Sequence, residues 1–205
     1  MHLAVYTDAT RIAGAEQFAA TLVGELSADL RVTVAGVDAG VVAWIAGHRA
    51  GAETAVLAPV RDKRDARPIV EHARWVHRAR PDVLQANLRH SYACQFAIAP
   101  GLLVPGVRVV AVEHFPTPPA SRLQLALKRL TSRRLAAHVA VSDSSARTVE
   151  AIVGLPAGRV RTIHAGVPAA PNPAAAADAA VGDPGGAPVV GAVGRFVAEK
   201  GFDVL

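Results

Sequence analysis

The sequence has few of the features that mark exported or membrane proteins. It contains one cysteine, Cys94, so it can form no internal disulfide, and a reducing compartment is the natural expectation. No apolar stretch approaches the ~20 residues that a membrane-spanning helix needs. The first residues, MHLAVYTDAT, lack the basic start and the long apolar middle of a signal peptide. We therefore expect a cytoplasmic protein.

Aromatic residues, dinucleotide motifs and metal-ligand patterns are also scarce. Phe, Trp and Tyr make up 4% of the chain, and few of them stand beside basic residues, so we expect no nucleic-acid partner. There is no G-x-G-x-x-G sequence, which removes the main support for nicotinamide-dinucleotide binding. The eight histidines show no recognisable ligand spacing, so no metal is expected. The net charge of +5 favours anionic partners, such as phosphate-bearing metabolites or a membrane surface.

Seven short apolar segments alternate with amphipathic helical segments along the first 166 residues. Unbroken apolar runs are typical of strands buried on both faces, and the helices supply the crossovers that parallel strands need. The sequence therefore predicts an α/β fold with a doubly wound parallel sheet. The predicted strands are Leu3–Thr7, Arg31–Gly36, Thr54–Ala58, Asp82–Ala86, Arg108–Val112, His138–Val141 and Arg161–His164.

The loops that follow these strands are the places where a ligand is expected. Ligands of doubly wound sheets bind outside the carboxyl ends of the strands. The loops that begin near Asp8, Asn87, Glu113 and Ser142 should therefore share one functional edge.

The composition changes abruptly after the seventh strand. Residues 167–188 are mostly Ala, Pro and Gly, which is typical of a linker. An apolar run, a Gly-Arg turn and the first residues of a helix follow, like the opening of another domain. We predict a Rossmann-like domain over residues 1–166, a linker over 167–188, and the first strand and turn of a truncated second domain over 189–205.

Two positions at the functional edge are candidate site residues. Gly14 precedes a helix whose apolar face is expected at Phe18, Leu22 and Leu26, and its flexible backbone would let a phosphate approach the helix N-terminus. An ordinary turn glycine is the alternative.

His114 follows the fifth predicted strand and could hydrogen-bond a sugar hydroxyl or a backbone carbonyl. Glu113 could orient it or stay solvated, and a satisfied polar pair that closes the strand is the alternative.

Arg195 and Lys200 form a third candidate, in the turn near the end of the chain. Two fixed cations beside a glycine-rich backbone could neutralise the charge that develops on a diphosphate leaving group. A solvated surface turn is the alternative interpretation.

The order of several motifs resembles that of family 4 glycosyltransferases of the GT-B fold. The segments that carry the resemblance are AGAEQ, RPDVLQAN, VVAVEHF, AAHVAVSDSSARTV, RVRTIHAGV and VGAVGRFVAEKGFDVL. The resemblance covers essentially the whole chain, which would be the N-terminal, acceptor-side domain and the start of the C-terminal domain. It implies retaining transfer of a sugar from a nucleotide-sugar donor, in a cleft between two Rossmann-like domains and usually without a metal.

The resemblance also implies roles for the candidate residues. Gly14 would touch the donor phosphates, His114 would contact the transferred sugar as the catalytic residue, and Arg195 and Lys200 would hold the diphosphate. The family's nucleotide-recognising loops would lie beyond residue 205, so we expect the chain as given to be inactive alone.

Two departures from the family pattern concern the loops. Ala13 stands where the family often has the first glycine of a pair. His164, Ala165 and Gly166 stand near the family's frequent Asn-Gly-Val.

Two predicted helices combine apolar stripes with arginines. Basic amphipathic helices can lie on an anionic membrane, as they do in family members that glycosylate lipids, although core packing with solvated arginines is the more ordinary interpretation. The first, at 68–79, has its stripe at Ile69, Ala73 and Val76, with Arg74, Trp75 and Arg78 elsewhere on its surface. The second has its stripe at Leu123, Leu127 and Leu130, beside Arg122, Arg129 and Arg133.

Two function classes follow from these observations. The first is a glycosyltransferase with a glycan, lipid or small-molecule acceptor. The alternative is a non-catalytic module that binds an acceptor or the inner membrane face and partners a separate glycosyltransferase half. A sugar-nucleotide epimerase of similar architecture is a minor third alternative.

Overall fold

The computed structural model of the protein describes residues 1–62, 64–166 and Phe202. This part of the chain folds as alternating strands and helices. The strands are β1 (His2–Thr7), β2 (Arg31–Gly36), β3 (Glu53–Val56), β4 (Val83–Leu88), β5 (Arg108–Glu113), β6 (Ala137–Ala140) and β7 (Arg161–Thr162). The helices are α1 (Gly14–Glu25), α2 (Ala39–Ala46), α3 (Ala66–Ala79), α4 (Gln95–Gly101), α5 (Arg122–Arg134) and α6 (Asp143–Val153).

The strands form one parallel sheet in the order β3-β2-β1-β4-β5-β6-β7. The chain winds outward in one direction from β1 and in the other from β4, which is the Rossmann arrangement, and the predicted doubly wound sheet is confirmed. Leu88 pairs with Glu113, and Glu113 pairs with Ala140, so β4, β5 and β6 end together. Asn87 and Glu113 therefore lie within strands, whereas the sequence had placed them in the following loops.

Helices cover both faces of the sheet. On one face, α1 and α2 pack Val23 and Ile45 against Val5 and Val34. The expected apolar face of α1 was wrong, because its buried residues are mainly alanines and Val23, while Phe18, Leu22 and Leu26 are half-buried. Small side chains let this helix lie close to the sheet.

On the other face, α3 and α4 pack against β1, β4 and β5. The buried residues of α3 are Pro68, His72 and Val76. Trp75 was expected on the surface, but it packs on the same core, with its ring centroid 6.1 Å from that of Tyr6.

Helix α5 is rotated relative to its expected orientation. Its buried residues are Lys128, Thr131 and Ser132, at helical spacings of three and four. The predicted core stripe is instead exposed, by 72% at Leu123, 42% at Leu127 and 53% at Leu130. Lys128 faces inward because it pairs with Glu113 at the end of β5, and this contact fixes which side of the helix meets the sheet.

The chain divides into two units, Met1–Val167 and Pro168–Leu205. The second unit lies outside the described residues except for Phe202, so the predicted linker at 167–188 and the predicted second-domain fragment at 189–205 stay predictions. Among the described residues, no helix combines the length and apolarity needed to cross a membrane.

Gly36 at the end of β2 provides a test of packing between the strands. A Cβ atom there would lie 2.7 Å from the carbonyl oxygen of Thr7 and 3.0 Å from Cγ2 of Val42, and the strand backbone cannot easily yield. We expect Gly36→Ala to lower the free energy of unfolding by about 2 kcal/mol, measured by urea denaturation. Gly14→Ala is the matched control, because a Cβ at that position meets no atom of the described residues within 4 Å. Equal stabilities of the two variants would contradict the close approach.

Candidate active site

The carboxyl ends of the central strands bring together the residues that the sequence had marked. Asp8 follows β1, Asn87 is the penultimate residue of β4, Glu113 ends β5, and Ser142 follows β6. Ser142 has a structural role, since its hydroxyl caps α6 by accepting a hydrogen bond from the Ser145 N–H at 3.1 Å. The other three, Asp8, Asn87 and Glu113, each make hydrogen bonds or ion pairs with neighbouring groups at this edge.

Gly14 is the first residue of α1, and its loop is fixed by Glu16. One carboxylate oxygen of Glu16 accepts from the Ala13 N–H at 3.1 Å, and the other accepts from the Thr7 hydroxyl at 3.2 Å. Glu16 thus ties the helix start to the end of β1. Gly14 itself is exposed, with neither a positive φ nor a close neighbour to require glycine. Folding therefore does not require a glycine at position 14, and within the described part of the chain the space beside it is free for a ligand.

His114 lies directly after β5 and is held by Asn87. Its Nε2 donates to Oδ1 of Asn87 at 2.8 Å, and Nδ2 of Asn87 donates in turn to the carbonyl oxygen of Ala15 at 2.8 Å. The rings of His114 and of Phe18 in α1 pack edge to face, with centroids 5.0 Å apart. The structure therefore links His114 to the residue that follows Gly14.

The protonation state of His114 follows from its surroundings. Burial lowers the pKa of His114 to about 4, although the charge of Glu113 acts in the opposite direction. The imidazole is therefore neutral at pH 7. Because Nε2 carries the proton that it donates to Asn87, Nδ1 holds the lone pair and can accept a hydrogen bond.

Glu113 is fully buried and is held by two other buried side chains, of which Lys128 supplies the positive charge. Its Oε1 pairs with Nζ of Lys128 and, at 3.1 Å, with Nε2 of His138. Burial raises the pKa of Glu113, but Lys128 and His138 together lower it by more than burial raises it. The net pKa therefore lies below the usual range. Burial also lowers the pKa of His138, against the effect of its hydrogen bond to Glu113. The sequence analysis had allowed that Glu113 is solvated or that it orients His114. In the structure, Glu113 is neither exposed to solvent nor hydrogen-bonded to His114.

Sequence reasoning missed the partners of these groups. Asn87 was noted only as the start of a loop, and Lys128 and His138 were not singled out. The signal for Asn87 was an amide at the end of an apolar strand, where a buried polar group needs partners. No comparable signal marked Lys128.

The remaining predicted site residues, Arg195 and Lys200, lie outside the described residues. Within 1–62 and 64–166, no group of three or more His, Cys, Asp or Glu side chains is placed to hold a metal ion. The expectation of a metal-free reaction stays a prediction.

The lowered pKa of His114 makes the stability of the fold depend on pH. The unfolded chain takes up a proton near pH 6.5 and the folded chain only near pH 4, so stability is lost as the pH falls below about 6.5. From these two values, His114 should remove about 2 kcal/mol between pH 7.5 and pH 5. We expect His114→Gln to reduce the pH dependence of the unfolding free energy by about that amount, measured with urea at both pH values. Identical pH dependence in the two proteins would contradict a buried, neutral imidazole.

Comparisons with known proteins identify the family. The model of the family described as Glycosyltransferase Family 4 matches residues 12–170. No curated protein matches the sequence.

Solved structures with a similar fold include the Anabaena protein Alr3699/HepE in complex with UDP-glucose. It is 16% identical, has a TM-score of 0.59, and is matched over 82% of this chain and 44% of its own. The lipopolysaccharide outer core galactosyltransferase WaaB, in its apo form, is 11% identical, with a TM-score of 0.51 and coverage of 80% and 45%. At these identities the likeness concerns the fold, and the chain spans less than half the length of these structures. The family match extends over well more than half of the chain, which therefore belongs to Glycosyltransferase Family 4.

Proposed function

We propose that the protein is the acceptor-side half of a retaining hexosyltransferase, which moves a sugar from a nucleotide-sugar donor to an acceptor hydroxyl. The observation that carries the proposal is the hydrogen-bonded path from Ala15 through Asn87 to His114 in a chain of this family. The path joins the glycine loop at the start of α1 to the end of β5. One rigid unit could then hold both the phosphates and the sugar of a donor.

The donor phosphates would lie at the N-terminus of α1. The exposed Gly14 leaves room for them, and the free N–H groups and the helix dipole favour an anion there. The structure of HepE contains UDP-glucose, which supports a nucleotide-sugar as the class of donor. The resemblance adds Arg195 and Lys200 as the cations for the leaving diphosphate, each worth roughly 3 kcal/mol if it acts like an oxyanion-hole donor.

His114 would act as a hydrogen-bonding group for the transferred sugar. Its neutral ring offers the Nδ1 lone pair to a sugar hydroxyl, while Asn87 fixes the ring orientation. In this proposal the covalent chemistry belongs to the substrates, and the protein positions them and stabilises the leaving diphosphate. The loops that the resemblance assigns to the nucleotide would lie beyond Leu205. We therefore expect the 205-residue chain by itself to transfer no sugar.

The role of His114 can be tested in a protein that joins this chain to a nucleotide-binding second domain. We expect His114→Gln to lower kcat roughly tenfold or more, because the Gln amide nitrogen can still donate to Asn87 but no acceptor atom remains at the position of Nδ1. His77→Gln is the matched control, at an exposed position near the end of α3. A panel of nucleotide-sugars supplies the donor, and the 205-residue chain alone is assayed beside it as a reference that we expect to be inactive. Unchanged kcat in the His114 variant would remove His114 from the mechanism.

The exposed face of α5 favours a second candidate function, a module that docks on an anionic membrane. Leu123, Leu127 and Leu130 are solvent-exposed, and a cavity of about 360 Å³ runs beneath the first two. Arg122 and Arg133 are also exposed on this helix, so its charge complements anionic lipid. This surface could serve a catalytic or a non-catalytic chain, and we infer that it would hold the protein at the inner membrane face.

Vesicle co-sedimentation tests the membrane contact. We expect the chain to bind vesicles that contain phosphatidylglycerol but not neutral vesicles, and binding should fall with added salt. Each of Arg122→Gln and Arg133→Gln should weaken binding roughly fivefold, the equivalent of about 1 kcal/mol per arginine.

Leu123→Ser should weaken binding too. Leu103→Ser is the control, because Leu103 is just as exposed but follows α4 rather than lying on α5, and we expect it to leave binding unchanged. Binding to neutral vesicles that survives high salt would contradict this function.

A further inference from the structure

A second cavity, of about 380 Å³, opens at the carboxyl ends of β1 to β4. Its walls come from residues at the end of β1 and from the loops after β2, β3 and β4, and it is closed by side chains of α3 and α4. This is the point where the winding of the sheet reverses, between β1 and β4. Because Arg61 and Arg89 both line it, we call it the arginine pocket.

Two buried polar atoms in the arginine pocket lack a hydrogen-bond partner within the described part of the chain. His72 is fully buried, and its Nδ1 donates to the Pro68 carbonyl oxygen at 2.8 Å. Nε2 is therefore the ring nitrogen left for a ligand, and among the described residues it has no hydrogen-bond partner. Asp8 accepts from the Cys94 N–H with Oδ2 at 2.7 Å, while its buried Oδ1 has no hydrogen-bond partner among those residues. Both atoms need a hydrogen-bond partner, such as a hydroxyl group, since unpaired buried polar atoms are costly.

The two arginines give the pocket an anion-binding side. Both side chains are exposed, and Nε of Arg89 lies 4.0 Å from Oδ1 of Asp8, which is too far for a hydrogen bond. Their guanidinium groups remain able to donate to a planar or tetrahedral anion, which is the ligand that arginine binds best.

We propose that the arginine pocket binds the sugar acceptor and that this acceptor is a polyhydroxylated molecule with one phosphate or carboxylate group. The inference rests on the glycosyltransferase function proposed above. Hydroxyl groups of the acceptor form hydrogen bonds with Nε2 of His72 and Oδ1 of Asp8, and the anionic group lies against Arg61 and Arg89.

The same contacts exclude other classes of ligand. An apolar molecule would leave Nε2 of His72 and Oδ1 of Asp8 without hydrogen-bond partners. A diphosphate would set further negative charge beside the Asp8 carboxylate. The cavity volume lies in the range of small-molecule sites and is suited to a single sugar-sized ring.

Nuclear magnetic resonance titration of the full 205-residue chain tests the proposal with three probes: glucose, glucose 6-phosphate and glucuronate. We expect both anionic sugars to shift the amide resonances of Asp8 and Arg89, with Kd values roughly tenfold below that of glucose. The ratio of the two anionic Kd values then tells whether the site prefers phosphate or carboxylate.

Single substitutions assign the effect to the pocket. Arg61→Gln and Arg89→Gln should each weaken anionic binding roughly tenfold and leave glucose binding unchanged. Arg108→Gln is the matched control, because it removes the same charge at the exposed start of β5, at the opposite edge of the sheet. All three positions are exposed, and the spectra themselves report whether each variant is folded.

Three outcomes would overturn the inference: equal affinity for neutral and anionic sugars, shifts confined to residues away from the pocket, or no shift at millimolar concentrations. The titration does not depend on catalysis. If the chain binds anionic sugars selectively but transfers no sugar when joined to a nucleotide-binding second domain, the proposed function alone is refuted. If the joined protein transfers sugar but the arginine pocket binds no anionic sugar, this inference alone is refuted.

Discussion

Glu113 ends a central strand with a charged side chain that the protein encloses completely. An isolated carboxylate in such a place would cost several kcal/mol, so the fold must supply positive charge within hydrogen-bonding distance. Lys128 supplies it from α5, and His138 adds a donor from β6. Three consecutive elements of the chain are therefore joined at one oxygen atom. The orientation of α5 follows from this contact, because turning Lys128 inward turns the leucines outward.

The same carboxylate influences the neighbouring candidate site. Glu113 alone would favour a protonated His114, yet burial of the ring outweighs its charge. Lys128 and His138 both bind Oε1 of Glu113, whereas Nε2 of His114 donates to Asn87, which therefore orients the ring. The structure thus separates two tasks at the end of β5. One residue anchors the sheet and helices, and the next is free to face a ligand.

Strong patterns in the sequence determined how much of the fold could be predicted. The apolar runs predicted seven parallel strands, and the limits of β2 at Arg31–Gly36 agree with the structure. The strands β4 and β5 extend further than predicted, because Asn87 and Glu113 are polar and were taken as loop residues. Their burial depends on partners 15 to 72 positions away, which no local pattern reveals.

Helix α5 shows that a local pattern can also predict the wrong buried face. Its leucines follow a helical period and would ordinarily predict a core face, but hydrophobic periodicity cannot tell which face a buried charge elsewhere requires. The candidate active site was also only partly predictable from the sequence. His114 could be found from its position after a strand, whereas Asn87 as its partner and His72 as part of a pocket depend on the tertiary structure.

Phe96 of α4 lines both the arginine pocket and the cavity beneath α5. One aromatic ring therefore stands as a partition between a charged compartment and an apolar one. Natural variation at this position could merge the two without touching the sheet or the buried Glu113. A chain with a smaller residue there would offer one longer groove, suited to a molecule with a polar head and an apolar tail. Ligand range in such a scaffold could then evolve at a single position while the fold stays unchanged.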